Sequence, residues 1–437
     1  MNGAVTLVGD RWIVGARHFA EPVRTLSATT LAEVLPVLRR AEAEAEAGAW
    51  VAGFVSYQAA PAFTPQLRVR AAPEESEMPL AWFGVYEGSG PAPPPVGDFQ
   101  LGAWTAGLSE SEHATRVRTI REAIAAGDSY QVNLTFPMWA DFDGDPAALF
   151  RAMTRSQPES YGAKIDLGDR QVLSVSPESL FVRDDRLVTV KPMKGTAPRG
   201  RSSIEDLAQR DLLRESEKER AGNLMIVDMW RNDLGKVAEI GSVDVPSLFD
   251  VERHPTVWQM TSTVTAILPA GVGLDELFSA VFPSASVTGA PKVSTMGLIA
   301  DLEPEARGVY CGAIGYIEPG AHRAEFSVGI RTGVLDSGRF TYHVGGGITY
   351  DSLAGAEYDE CLWKALVVTR QHDPPALLET MRYSPDSGVP LLDRHISRLS
   401  ASAAYWGIPI DPVVIGDALS AVEGPGPLKV RLVLAAS

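Results

Sequence analysis

The segments AEFSVGIRTGVL (324–335) and RFTYHVGGGITY (339–350) are rich in Gly, Thr and Val and read as strands. Two segments of the same kind, WQMTSTVTAIL (258–268) and VYCGAIGYI (309–317), precede them. Helix candidates at about 204–230 and 354–371 flank the group. Strands gathered between long helices predict a mixed α/β (α+β) domain on antiparallel sheet, not a regular βαβ alternation.

Upstream, Ser109 followed by Glu112 is a capping-box pattern, Val117, Ile120 and Ile124 form one helical stripe, and Gly127 stops the helix. SYQVNLTFPMWADF (129–142) then alternates with period two. Tyr130, Val132, Leu134 and Phe136 share one face, and Gln131, Asn133 and Thr135 share the other, which either meets solvent or lines a pocket. The first 90 residues pair the strand-like WVAGFVSYQAAPAF (50–63) with a helix candidate over 30–48, and the four prolines of GSGPAPPPVGD (88–98) mark a linker or surface excursion. The predicted organisation is a main domain over 1–370 with an N-terminal subregion of about 1–98, a linker at 371–376 where QHDPP breaks the last helix, and a further unit over 377–437.

The net charge of −16 argues against a nucleic-acid or anionic-membrane surface, which needs a basic footprint. With no signal-peptide pattern and no apolar run of about 18 residues, a cytoplasmic location is expected. Cys311 and Cys361 are too few and too distant for a disulfide framework or a Cys-rich zinc site and read as buried. The seven histidines form no HExxH pair.

Three groups can carry chemistry. Glu357 and Glu360 share a helix face directly after GGGITYDS, and oxygen ligands of this type suit Mg²⁺. Glu219 is their counterpart on the earlier helix, where Gly222, three residues on, stands in place of a second carboxylate. FPSASVTGAPK (282–292) and FSVGIRT (326–332) offer Ser286, Thr288, the Gly289 backbone, Lys292 and Arg331 as donors to carboxylates. Thr-Gly-Ala-Pro-Lys lacks the phosphate-loop spacing, and no GxGxxG follows a strand. KPMKGTAPRG (191–200) contains Lys194, which alone would read as a solvated loop charge.

These motifs, with GDSYQVNLT (127–135), SPESLF (176–181), ERAGNLMIVDMWRNDLG (219–235) and GVYCGAIGYI (308–317), occur in an order that resembles the chorismate-utilising enzymes. The resemblance covers about residues 1–370. Within the family the chain is most similar to the aminodeoxychorismate synthase branch. The resemblance implies an anthranilate synthase component I-like fold, two packed antiparallel sheets with outer helices, with a small partial unit at the C-terminus. It implies that chorismate is aminated at C4 with ammonia from a glutamine amidotransferase subunit. Lys194 would be the covalent nucleophile at C2, with Lys191 and Arg199 as neighbouring cations, and Glu178 the general acid. Gln131 stands where water-using relatives carry a lysine. Arg331, Tyr316, Gly345, Gly346, Gly347 and Thr196 match substrate contacts, and Gln259 stands where many relatives have histidine. Glu219, Glu357 and Glu360 would hold Mg²⁺. Gly222 replaces a glutamate of that clamp, and Ser294 and Gly297 replace an Arg and a Glu. Anthranilate synthase activity, or a weakly active chorismate-binding relative, are the alternatives. Residues 377–437 resemble the beginning of aminodeoxychorismate lyase, a pyridoxal-phosphate fold. Lys429 is the only lysine after 376, so no pyridoxal phosphate is expected on this chain. Neither cysteine lies in the Gly-x-Cys-x-Gly turn of a glutaminase.

Overall fold

The segment expected as one strand over 324–335 forms two strands that belong to different sheets. Arg323–Val328 pairs with Ala313–Ile317 and Ser179–Asp184. Thr332–Asp336 pairs with Arg170–Ser176 and Arg339–Ile348. Between them the chain turns at Gly329, Ile330 and Arg331, and Arg331 takes a left-handed φ of 50°, a conformation that non-glycine residues adopt only where the surroundings enforce it. The adjoining chain makes the same passage: Arg170–Ser176 lies in one sheet, Ser179–Asp184 in the other, with Pro177 and Glu178 between. Backbone hydrogen bonds from Val175 N to Arg331 O, 3.1 Å, and from Val328 N to Glu178 O, 3.0 Å, hold the two passages side by side.

This computed structural model describes residues 3–72, 78–200, 202–254, 257–366, 368 and 376–435. The first sheet runs in the order Gly289–Ala290, Gln131–Gly144, Arg339–Ile348, Thr332–Asp336, Arg170–Ser176, Tyr161–Asp166, Val5–Val8, Arg17–Phe19. The second runs Val257–Ile267, Leu187–Val190, Ser179–Asp184, Arg323–Val328, Ala313–Ile317, Trp50–Val55, Ala81–Tyr86, Arg24–Ala28. The pairings are antiparallel. Their facing surfaces meet in an aromatic core where Val5, Tyr161 and Ile165 of the first pack with Phe54, Trp82 and Tyr316 of the second. Helices cover the outer faces: Glu110–Ala125, Pro146–Ser156 and Ala354–Leu366 on the first, Leu31–Glu46 and Leu274–Val281 on the second. The two packed antiparallel sheets with outer helices are thus as the sequence implied.

Local signals explain the element ends. Ser109 N donates to Glu112 Oε2 at 2.8 Å, and Ser109 Oγ accepts from Glu112 N, so the capping box forms as read. The helix expected over 204–230 is two, Ser203–Glu215 and Glu217–Gly235. Ser216 adopts extended backbone, and its hydroxyl accepts from Glu219 N, the cap chemistry that lets serine end one helix and begin another. The strand-like 50–63 stops at Val55 and continues as a turn and the short helix Ala60–Phe63, with Pro61 in its first turn. The last helix of the main domain is Ala354–Leu366; the linker expected at 371–376 lies outside the described residues apart from Ala376.

The chain divides into two compact units. One comprises Met1–Lys194, Ala221–Asp250 and Thr261–Gln371, and the other Gly195–Arg220, Val251–Met260 and His372–Ser437. In the second unit, Leu377–Tyr383 pairs with Leu428–Leu434, over a core of Leu377, Leu399, Ala403, Ile408 and Ile415. Arg199 joins its three segments. The guanidinium forks onto Asp206 at 2.7 and 2.8 Å and sits over the rings of Trp258 and Tyr405, while Trp258 Nε1 also donates to Asp206.

In the first unit a buried ion pair performs the same office. Arg307 donates to Glu303 at 2.6 and 2.9 Å, to Val287 O at 2.6 Å and to Asn133 O at 2.8 Å, over the Tyr57 ring. Glu303 in turn accepts from Thr135 N. Arg307→Ala leaves the buried Glu303 without its partner, and is expected to lower stability by about 3 to 5 kcal/mol. Urea unfolding measures this; a loss under about 1 kcal/mol would show that the pair does not hold these segments.

Candidate active site

The paired passages between sheets deliver Glu178 and Arg331 to one cavity of about 250 Å³ in the first unit. Glu178 is 6% exposed, and Ser286 Oγ donates to its Oε1 at 2.6 Å. Burial drives its pKa up, while the Ser286 hydrogen bond and the charge of Lys194 pull it part of the way back, leaving it at about 7. Lys194 lies on the strand Met193–Pro198, and Asn223 Nδ2 donates to its carbonyl at 3.2 Å. Asn223 is itself fixed by Ser262 Oγ, 2.6 Å from its Oδ1. Among the described residues no side chain or carbonyl accepts from the Arg331 guanidinium, which lines the cavity, so its five donors are available to an anionic occupant.

Gln131 and Asn133 line the same space, so the polar face of their strand borders a pocket. Asn133 Nδ2 is committed to Val287 O at 3.1 Å, whereas Gln131 Oε1 is buried without a partner. The Gly345–Gly347 run, on the neighbouring strand of the same sheet, continues this wall, and a side chain there would crowd it. A Cβ at Gly347 would stand 2.8 Å from Gln131 Nε2 and 3.4 Å from Lys194 Nζ. Glu360 also lines the cavity; its Oε1 pairs with Lys364 Nζ at 2.8 Å, and that ammonium donates to Gly345 O.

Other residues singled out in the sequence stand elsewhere. Lys292 Nζ donates to Asp233 at 2.9 Å. Thr288 Oγ1 donates to Ser284 O, and Gly289 pairs with Val132 at the sheet edge. Tyr316 belongs to the core between the sheets, its hydroxyl on Glu325 at 2.6 Å. These four side chains or positions are not on the cavity wall. Thr196, Gln259 and Glu219 belong to the second unit, where Thr196 Oγ1 donates to Gln259 Oε1 and Gln259 Nε2 to Gly195 O. Arg199, expected beside Lys194, is neutralised by Asp206. The cavity also gathers Tyr310, Tyr342, His343 and Lys364, which the sequence reading passed over. The last was findable, one turn beyond Glu360 on the same helix face.

Among the described residues no three His, Cys, Asp or Glu side chains cluster as a metal site. Glu357 and Glu360 nevertheless offer oxygen donors one turn apart on Ala354–Leu366. Gly346 admits the Glu357 carboxylate to within 3.1 Å of where a Cβ would stand. That donor set fits Mg²⁺, which takes one or two carboxylates and keeps its waters.

Residues 14–370 match the family described as chorismate binding enzyme. Over 299 residues the chain is 40% identical to aminodeoxychorismate synthase component 1 of Klebsiella aerogenes, spanning 68% of this chain and 65% of that protein. Over 264 residues it is 40% identical to anthranilate synthase component 1 of Streptomyces coelicolor, spanning 60% and 51%. The chain thus spans less than two thirds of these relatives. Among solved structures, anthranilate synthase component I from Streptococcus pneumoniae TIGR4 is similar, with a TM-score of 0.71 and 26% identity, covering 84% of this chain and 92% of that one.

The raised carboxyl predicts a pH-dependent stability. Because the folded state holds the Glu178 proton up to about pH 7 and the unfolded chain releases it near the ordinary value, stability falls as pH rises through that window. Glu178→Gln keeps an acceptor for Ser286 and is expected to stabilise the protein by roughly 3 kcal/mol at pH 8. The gain should vanish towards pH 4.5. Urea unfolding at the two pH values measures it, and an equal effect at both would overturn the assignment of a neutral acid.

Proposed function

The chain belongs to the chorismate binding enzyme family, and we propose that it aminates chorismate at C4, releasing water and giving 4-amino-4-deoxychorismate. The observation that carries this reading is Lys194 on the wall of the cavity that also holds Glu178, a buried acid with a pKa of about 7. A group titrating there is half protonated at neutral pH and can give and recover a proton in one cycle. Lys194, once deprotonated, attacks C2 through its amine, both ring double bonds shift towards C4, and the C4–O bond breaks as Glu178 protonates the leaving hydroxyl. Ammonia then adds at C4, the C2–N bond breaks to return the lysine, and the surplus proton goes back to Glu178. Gln131 presents an amide to this space where water-using relatives place a lysine.

Arg331 and the Gly345–Gly347 backbone receive the substrate's carboxylates. Glu357 and Glu360, one turn apart on their helix, would hold Mg²⁺, whose charge offsets the ring carboxylate when bound. A glutamine amidotransferase subunit supplies the ammonia. In keeping with that, Cys311 and Cys361 are buried and burial pushes both thiols up to about 12, far from a thiolate nucleophile at neutral pH. The equal identity to anthranilate synthase component 1 favours that activity as a second reading.

Incubation of the 437-residue chain with chorismate, Mg²⁺ and ammonium, followed by chromatography, is expected to yield aminodeoxychorismate. Anthranilate instead would establish the second reading, and unchanged chorismate at saturating Mg²⁺ would overturn both. Lys194→Ala is expected to slow turnover at least about hundredfold. Gly222 offers a second test. A Cβ there meets only the Lys194 Cγ, at 3.6 Å, so a side chain can be accommodated. Gly222→Glu is expected to lower the Mg²⁺ concentration for half-maximal turnover; an unchanged Mg²⁺ titration would sink the idea that this glycine weakens the clamp.

A further inference from the structure

Lys364 lines the cavity from the outer helix Ala354–Leu366, and the chemistry above gives it no part. Its ammonium holds two acceptors, each at 2.8 Å: Glu360 Oε1, one turn before it, and the carbonyl of Gly345 on the cavity wall. A lysine has three N–H donors, and among the described residues no acceptor takes the third. One turn before Glu360, Glu357 accepts from Ser352 Oγ at 2.7 Å and stands against Gly346. Two carboxylates and one ammonium therefore lie along the glycine run from a single helix face.

The two ends of the Glu360–Lys364 pair are held unequally. Lys364 is tied to the wall by a backbone carbonyl, whereas the Glu360 side chain is 60% exposed and takes a hydrogen bond or ion pair from no other described residue. A helical Glu–Lys pair at this spacing and exposure is weak, so Glu360 can leave it while the ammonium stays on Gly345. A divalent cation at Glu360 would face a like charge across the same carboxylate, and Coulomb repulsion favours their separation. We propose that Lys364 is the resident counter-ion of Glu360, that a divalent cation displaces it, and that the freed ammonium then pairs with an anion in the cavity. The identity of the two guests, Mg²⁺ and a carboxylate of chorismate, rests on the function proposed above. Each guest then strengthens the other, because the ion releases a donor that the anion uses, and coupling of this kind is reciprocal. The reverse arrangement, an ammonium that orients Glu360 towards the ion, would make Lys364 an aid to ion binding instead of a competitor.

The test uses the whole chain, with Mn²⁺ alone as the first probe and its dissociation constant read by calorimetry without chorismate. Lys364→Met keeps the aliphatic stem and removes the charge, Lys364→Arg keeps the charge, and melting temperatures check folding. The Met variant is expected to bind Mn²⁺ about threefold more tightly than the unmodified chain at low ionic strength. The difference should shrink as salt is added, and the Arg variant should stay near the unmodified value. Unchanged or weaker Mn²⁺ binding in the Met variant would overturn the proposal. So would a Glu360→Gln variant of intact Mn²⁺ affinity, since the ion would then sit elsewhere. Chorismate binding is measured next, with and without saturating Mn²⁺. Mn²⁺ is expected to tighten it in the unmodified chain, and to do so at least about threefold less in the Met variant; equal coupling in the two would overturn the exchange. A chain whose Mn²⁺ binding depends on Glu360 and Lys364 as stated, but which neither binds nor converts chorismate, defeats the proposed function and leaves the displacement of Lys364 standing. Normal turnover beside an unchanged Mn²⁺ affinity in the Met variant defeats this proposal alone.

Discussion

The site depends on two neighbouring strands leaving one sheet and entering the other at the same level. A strand running on within a sheet presents its side chains alternately to the two faces. At a passage between sheets that alternation is interrupted. The residues at the bend, Glu178 and Arg331, are released from the pleat yet held by the hydrogen bonds from Val328 N and Val175 N to their carbonyls. An acid and a guanidinium are thereby fixed by backbone on both sides, with the positive φ of Arg331 as the conformational cost.

The pairing of Arg307 with Glu303 secures the third side. It reaches the strand Gln131–Gly144 through Asn133 and Thr135 and the turn Ala285–Val287 through the Val287 carbonyl. That turn carries Ser286, the partner of Glu178. The surface charge is strongly negative, yet the cavity wall gathers Lys194, Arg331 and Lys364 from three separate elements. The chain repels anions at large and concentrates its attraction for them in one enclosed space, where Coulomb forces are least screened.

Much of this was legible in the sequence wherever the governing signal is local. The capping box at Ser109, the period-two face of Gln131 and Asn133, and the burial of both cysteines follow from short-range pattern. The passage at Gly329–Arg331 was not, because an uninterrupted strand-like composition says nothing about which sheet each half will join. Nor did the pattern reveal the break at Ser216, since serine is tolerated within helices and caps only when its hydroxyl finds an amide. Tyr316 and Lys292 show the reverse limit. A motif gives the residue type, but Glu325, across the strand pair, and Asp233, remote in sequence, decide where the hydroxyl and the ammonium point.

The glycine wall opposite Lys194 has a consequence for inhibition. An inhibitor that stacked on side chains could be escaped by exchanging them. One that lay against the backbone of Gly345 and Gly347 would be harder to evade, because any substitution there puts a carbon 2.6 Å from Leu134 O or 2.8 Å from Gln131 Nε2. The protein would have to damage its own cavity to exclude the drug, so this surface favours compounds with a high barrier to resistance.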